Sequence, residues 1–346
     1  MSYRITLLPG DGVGPEVTAA ARAALDAAST AFNLGLSFDE RAFGGAGIDA
    51  FGAPYPDETR TAVAAADAIF LGAVGGPKWE KGGPRPEQGL LDLRRDLGVY
   101  ANLRPTIVAP GFEDRSPLKA DVARGVDFLI VRELNGGVYY GDREEGKTRA
   151  SDLCVYTRDE VRRVARVAFE AARGRRGKVT SVDKANVLAT SRLWRAAVEE
   201  LRAEAYADVE LEHALVDAMA MHLVTRPASF DVILTENMFG DILSDEASVL
   251  SGSIGMAPSA SLGDGKGLYE PIHGSAPDIA GKGVANPIGA IMSAAMLARH
   301  SLGRDDAAAA IERAVAGALD DGLATRDLGG DATTTVFSNA VAERLA

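Results

Sequence analysis

Along the 346-residue chain, hydrophobic and polar positions follow two alternating periods. Short apolar runs at 4–8, 68–73, 127–131, 178–182 and 231–235 have the length and composition of buried strands. Between several of them, at 57–66, 158–173, 191–204 and 216–225, apolar residues recur every third or fourth position, which predicts amphipathic helices. The first run passes through a Gly/Pro turn into a further helix that opens near Pro15 and continues alanine-rich towards Thr30. Proline suits that first turn, because the N–H it lacks has no helical partner there. Strands alternating with helices predict an α/β fold with a largely parallel sheet covered on its faces.

Three stretches break the pattern. Residues 72–89 and 263–287 are rich in glycine and proline, and loops of this length in a compact protein usually bind something or cap a cleft. Residues 139–156 are polar and weakly periodic, and read as a segment projecting from the body. No repeat of 20–50 residues and no Pro/Ser linker occurs, so composition marks no boundary between halves.

Composition narrows the class. Hydrophobic residues make up 47% and charged residues 25%, dispersed along the chain, which excludes a disordered or low-complexity protein. There is no run of about 18 apolar residues, so no membrane span is expected. The opening apolar stretch is too short for a secretion signal, and the chain is read as cytoplasmic. With 37 Lys and Arg against 49 Asp and Glu, the net charge of −12 disfavours a nucleic-acid backbone as partner. A small anionic substrate is not excluded, since a local arginine cluster overrides the global field. One cysteine, Cys154, excludes an internal disulfide framework and a multi-cysteine zinc site. Four histidines leave carboxylates as the more natural metal ligands.

Several groups carry candidate chemistry. In NMFGDILSDEAS, Asp241 and Asp245 stand four apart in a helical pattern and share one face. Their repulsion becomes ligation around a hard divalent cation; otherwise they form an acidic face on a helix that Phe239, Ile242 and Leu243 would partly bury. Asp217, among the apolar residues of VDAMAMHLV, needs a partner and is a candidate third ligand. A helix ending at Gly98 should precede a strand in which Tyr100, Asn102 and Arg104 share a face. Arg94 or Arg95, Arg104 and Arg132 then lie at or beside buried elements, with Arg132 at the C-terminal end of a strand. Converging arginines would bind a di- or tricarboxylate; the alternative is three separate structural ion pairs. Lys184 follows a buried run and serves either as a proton-transfer group or as a partner of Asp183. Tyr139 or Tyr140, in GGVYYGD, could donate a proton. LLPGDGVGPE offers Gly10, Gly12 and Gly14 after a strand, but Pro15 departs from dinucleotide-fingerprint spacing, and a tight turn into a helix is the simpler reading.

Together, LLPGDGVGPE, AVGGPKW, RPEQGLLDLRRDLGVYANLRP, LIVRELNGGVYYG, SVDKANVL, VDAMAMHLV, FGDILSDEAS and HGSAPDIAGKGVANP, in this order, resemble the isocitrate/isopropylmalate family of metal-dependent β-decarboxylating dehydrogenases. The resemblance covers essentially the whole chain and implies that family's own fold, two α/β halves sharing an extended mixed sheet, and not a Rossmann fold. Residues 1–99 with 253–346 would form the nucleotide-side domain. Residues 100–252 would carry the metal helix, the dimer contact and an intersubunit arm at 139–156.

The resemblance also implies roles. Arg94, Arg104 and Arg132 resemble the clamp on the substrate carboxylates. Asp217, Asp241 and Asp245 resemble the Mg²⁺ or Mn²⁺ ligands, with Asp217, also a substrate neighbour, and Lys184 supplied by the second subunit of a homodimer. Lys184 resembles the base at the C2 hydroxyl and Tyr139 the acid that protonates the enolate. NAD would be held by Gly76, Glu87, His273, Gly274, Ser275, Ala276, Asp278, Ile279 and Asn286. Asp278 followed by Ile279 matches the NAD-using pattern; NADP-preferring relatives place lysine and tyrosine in this region, where this chain is read as having neither. Leu90 and Leu91, ahead of Arg94, suit an isopropyl group at C3 of a malate-type substrate, each buried CH₂ being worth about 0.8 kcal/mol. The implied reaction is oxidative decarboxylation of (2R,3S)-3-isopropylmalate to 4-methyl-2-oxopentanoate in leucine biosynthesis. D-malate, tartrate and homoisocitrate are the alternatives.

Overall fold

A computed structural model describes residues 2–80 and 82–346. The chain forms two compact units, one of residues up to Val99 together with Ser253–Ala346, the other Tyr100–Gly252. The first opens with β1 (Tyr3–Gly10), α1 (Gly14–Phe32), β2 (Leu36–Glu40), α2 (Gly45–Phe51), α3 (Asp57–Ala65), β3 (Ala68–Ala73) and α4 (Pro86–Leu97). The chain then enters the second unit through β4 (Val99–Ile107), α5 (Ala120–Ala123) and β5 (Asp127–Glu133). A small hairpin of β6 (Arg143–Glu144) and β7 (Ser151–Asp152) follows. After it come α6 (Arg158–Arg173), β8 (Lys178–Asp183), α7 (Ala189–Ala205), β9 (Glu210–Leu215), α8 (Val216–Thr225), β10 (Val232–Thr235) and α9 (Asn237–Ser248). The first unit is completed by β11 (Pro258–Gly263), β12 (Leu268–Pro271), α10 (Ile288–His300), α11 (Asp305–Asp320) and α12 (Thr334–Leu345).

In the first unit the strands run in the order β2-β1-β3-β12-β11, parallel except for the antiparallel β11–β12 pair. Its core includes Leu8, Phe43, Ile69, Leu71, Leu93 and Leu268. In the second unit the order is β4-β5-β10-β8-β9, with β4 antiparallel to β5 and the rest parallel. There Phe128, Ile130, Val182, Met219, Phe230, Ile233 and Leu243 form the core, which α8 and α9 close. Fully burying such side chains stabilises by about 1.5–3 kcal/mol each.

All five strands read from the apolar runs are present, and the helices of 158–173 and 216–225 have the bounds read for them. Capping signals explain the sharpness of α6, where Thr157 and Glu160 form a reciprocal capping box. The stretches read as irregular hold more order than expected. Residues 72–89 contain the end of β3 and the first turn of α4, and 263–287 contain β12, a four-residue strand hidden between glycines. Ile242 does not help bury its helix; it is 60% exposed on the outer face of α9. Among the described residues, no helix is long and apolar enough to cross a membrane.

Candidate active site

The second unit gathers charged residues at the C-terminal ends of its parallel strands, the edge where open α/β sheets hold their ligands. The register explains the gathering. Arg132 on β5 stands beside Thr235 on β10, two residues before α9 begins, and opposite Asn102 on β4. Asn102 and Arg104, two apart on β4, share a face as the strand period requires. Arg132 is only 2% exposed, so its charge must be met inside the protein. One edge of its guanidinium, Nε and Nη2, donates to Asn237 Oδ1 at 3.2 and 2.9 Å, while Nη1 donates to Asp241 Oδ1. Arg104 donates through Nε to Asn102 Oδ1 (2.6 Å) and through Nη1 to Ser244 Oγ (2.6 Å) and Asp245 Oδ1 (3.1 Å).

Gly240 permits this approach of helix to strand. A Cβ there would lie 2.2 Å from Thr235 Oγ1 and 2.6 Å from Arg132 Cγ, so any side chain would push α9 away from Arg132. Glu236 caps the helix by accepting the Phe239 N–H at 2.6 Å. Of the two tyrosines, Tyr139, at the end of a short 3₁₀ turn, donates its hydroxyl to Asp241 Oδ2 at 3.0 Å. Burial, then the Asp241 charge, push the Tyr139 phenol up to about 12. Partial burial raises Asp245 from the usual carboxylate range, against the pull of Arg104. Asp241 and Asp245 thus face two arginines from one helix surface.

Lys184 and Asp217 follow the paired ends of β8 and β9, where Asp183 stands beside Leu215. The ammonium of Lys184 donates to Asp217 Oδ1 at 2.5 Å, and this bond holds the exposed Asp217 carboxyl below its usual range. The alternative partner, Asp183, is instead taken by Arg195 (2.9 and 3.0 Å) and by the Ala185 N–H. Among the described residues no group of three His, Cys, Asp or Glu is placed to hold a metal, so Asp217 does not complete the Asp241–Asp245 pair within the chain.

In the first unit, Arg94 and Arg95 differ in burial. Arg94 is buried and pairs with Glu270 at 2.9 Å, whereas Arg95 is exposed and pairs with Asp92. Leu90, half-buried on α4, packs against the unit's core. Gly76 and Glu87 line one hollow of about 290 Å³ with Trp79 and Arg85; Lys81 lies outside the described residues.

The glycine turn after β1 grips the chain's own 273–286 loop. At Gly12, with φ +59°, a Cβ would lie 1.9 Å from the Ser275 carbonyl oxygen, and the Val13 N–H donates to that same oxygen at 2.8 Å. Glu16, in the first turn of α1, accepts the N–H groups of Gly281 and Gly283. Asp11 is buried, accepts three backbone N–H bonds from Gly45, Ala46 and Gly75 at 2.8 Å each, and so ties the turn to the 75–76 segment. Within the loop, Ala276 adopts a left-handed conformation with φ +39° beside the exposed Gly274. Burial pulls the His273 imidazole down, keeping it neutral; Nδ1 meets the Gly274 carbonyl at 2.9 Å, and Nε2 has no partner among the described residues. Asp278 is exposed, with Ile279 closing a turn back to Ala276. Contrary to the expectation of no lysine in this region, the loop holds Lys282, whose ammonium donates to the Asp278 carbonyl at 2.7 Å. Asn286 is buried, accepting from Ile288 N and donating to Asp327, so its amide is largely occupied in holding the loop.

The sequence reading missed Asn237 and Ser244 around the two arginines, and gave Asn102, placed on the Arg104 face, no role of its own. Asn237 carried a usable signal, being four residues before Asp241 and eight before Asp245 on one helix face.

Fold and site together define a class: the chain belongs to the isocitrate/isopropylmalate dehydrogenase family, whose model matches residues 4–344. It is 56% identical to the 3-isopropylmalate dehydrogenase of Anaeromyxobacter dehalogenans, covering all of both chains. It is 54% identical to that of Hahella chejuensis, over 100% of this chain and 98% of the relative. Among solved structures, isocitrate dehydrogenase from Methylococcus capsulatus matches with a TM-score of 0.89 and 39% identity over 99% of each chain.

Proposed function

We infer that the protein catalyses the NAD- and divalent-metal-dependent oxidative decarboxylation of (2R,3S)-3-isopropylmalate to 4-methyl-2-oxopentanoate and CO₂, the leucine-biosynthesis reaction. The observation that carries this reading is the cluster of Arg104, Arg132, Tyr139, Asp241 and Asp245 in hydrogen-bonding contact. Full-length relatives bearing that enzyme's name support the substrate.

The cluster's charges balance as two guanidinium groups against two carboxylates. A divalent cation on the carboxylates together with a substrate dianion on the arginines preserves that neutrality, so binding exchanges partners without burying net charge. The donor set fits Mg²⁺ or Mn²⁺, which take carboxylate oxygens and water. When bound, such a cation supplies Lewis acidity at the C2 oxygen of the substrate.

Arg104 and Arg132, with Arg94, hold the substrate carboxylates in this reading. Lys184, as the neutral amine, would take the proton of the C2 hydroxyl, and NAD, held by the 273–286 loop, would supply the hydride acceptor. The C3–carboxylate bond then breaks, CO₂ leaves, and its electron pair forms the enolate. Tyr139, whose raised pKa keeps it protonated at neutral pH, returns a proton to C3. One proton leaves the hydroxyl and one reaches C3, so the balance closes. Leu90 offers an apolar surface to the C3 substituent, where an additional carboxylate would lie unpaired.

Asp217 and Lys184 act in the partner's site in this reading, which makes the protein a homodimer. Exposed Met221 and Val224 on α8, with Ile242 on α9, provide an apolar face for that contact. NAD rests on the 273–286 loop, with neutral His273 beside the adenine and Asp278 accepting from ribose hydroxyls. Gly76 and Glu87 complete the contacts. A cytoplasmic setting accords with the single cysteine.

The test is the rate of NADH formation with 3-isopropylmalate, isocitrate, homoisocitrate, D-malate and tartrate at matched concentrations. The reading expects kcat/KM to be highest for 3-isopropylmalate. Preference for isocitrate or homoisocitrate would overturn the role of Leu90.

A further inference from the structure

We propose that Asn237 is the positioning residue that fixes Arg132 and couples it to the turn carrying Tyr139. The proposal rests on the assignment of Arg132 to a substrate carboxylate. Asn237 is only 1% exposed, and its polar groups reach three separate stretches of chain, at Arg132, Gly136 and Tyr156. Its Oδ1 accepts from both Nε and Nη2 of Arg132, at 3.2 and 2.9 Å. This leaves the opposite side of the guanidinium, through Nη1, directed at Asp241. When substrate and metal separate Arg132 from Asp241, the bonds to Asn237 persist and hold the guanidinium plane. The Nδ2 group of Asn237 donates at 3.1 Å to the carbonyl of Gly136, which leads directly into the Gly137–Tyr139 turn. Its backbone N–H donates at 3.0 Å to the hydroxyl of Tyr156, itself 3.3 Å from the carboxylates of both Glu133 and Glu236.

A buried asparagine with a purely structural role could take any set of partners. Here the acceptor oxygen serves a substrate-binding group and the amide donor serves the proton donor's turn. No other uncharged side chain of similar size presents both an acceptor and a donor in this shape. The pairing therefore sets substrate affinity through Arg132 and the placement of Tyr139 through Gly136.

A double-mutant cycle tests the coupling, because a residue acting through another loses its effect once that other is changed. Asn237→Ala is expected to lower kcat/KM for 3-isopropylmalate about 10–100-fold, chiefly through KM, with KM for NAD within about twofold. In the Arg132→Lys background, which lacks the planar fork, the same change should raise KM for 3-isopropylmalate by less than about threefold, while the kcat loss that runs through Gly136 and Tyr139 remains. Multiplying rises in KM for 3-isopropylmalate, or a parallel rise in KM for NAD, would overturn the proposal. If Asn237→Ala does not fold, Asn237→Asp, which keeps the acceptor for Arg132 and loses the Nδ2 donor to Gly136, is expected to lower kcat with KM for 3-isopropylmalate within about threefold; an unchanged kcat would overturn the coupling to the Tyr139 turn. Arg132→Lys with wild-type kcat/KM would overturn the assignment of Arg132 and the proposal with it, an outcome distinct from additivity.

Discussion

Tyr139 donates to one carboxylate oxygen of Asp241 while Arg132 occupies the other, so a single aspartate orients both the proposed proton donor and the arginine proposed to bind a substrate carboxylate. Removing the phenol hydroxyl should therefore damage chemistry more than binding. Tyr139→Phe is expected to lower kcat about 10²–10³-fold, the usual range for a general acid, with KM for 3-isopropylmalate within about threefold. Steady-state kinetics at saturating metal decide it; an unchanged kcat would remove Tyr139 from the proton-transfer step.

Gly240 is the point where α9 rests on Arg132, and a Cβ there has no room. Gly240→Ala should cost stability on the order of 1–3 kcal/mol, as overpacked cores do, and displace the arginine. Thermal melting and KM for 3-isopropylmalate are both expected to move, with KM rising about tenfold or more. A variant with wild-type melting and KM would show that the helix can shift freely.

These two features divide according to what a sequence discloses. The strands at 68–73 and 178–182 were legible because uninterrupted apolar runs leave little choice, and Asp241 with Asp245 because a spacing of four defines one helix face. Arg94 could not be separated from Arg95 by spacing, since neighbours on a helix differ by about 100° and only packing against Glu270 decides. Tyr139 and Tyr140 posed the same problem in a turn. The Asp11 and Gly12 contacts with the 75–76 and 275 segments join residues more than 60 positions apart, and no local pattern encodes such pairs. Asn237 was overlooked because an amide carries no charge to draw attention, though its place on the Asp241 face was readable.

Glu133 gives stability a specific pH dependence. Burial pushes its carboxyl up to about 7 despite the Asn135 and Gly136 N–H groups it accepts. Because the folded-state value lies above the unfolded one, the folded protein binds this proton more tightly. Its contribution is complete below about pH 4.5 and is lost as pH rises through about 7, by up to about 3 kcal/mol. Glu133→Gln mimics the protonated form, so its melting temperature should fall less than that of the wild type between about pH 5 and pH 8. Equal pH dependence in both proteins would contradict this.

Lys184 and Asp217 lie together, while Tyr139 belongs to the Arg132–Asp241 cluster. If sites are shared across a dimer, Lys184→Ala and Tyr139→Phe complement each other. Each variant alone should be nearly inactive, and co-expressed chains should recover about a quarter of wild-type activity, from the one intact site in each mixed dimer. No recovery, with mixed dimers demonstrated, would place Lys184 in its own chain's site.

In the proposed reaction a carboxylate-bound metal and the arginine cluster together serve oxidation and decarboxylation of one substrate. The most direct measurement is the ratio of NADH to CO₂ formed from 3-isopropylmalate, before and after EDTA and again after added Mg²⁺ or Mn²⁺. Equimolar NADH and CO₂, both abolished by EDTA and both restored by metal, is the predicted result. NADH without CO₂, or turnover indifferent to EDTA, would contradict it.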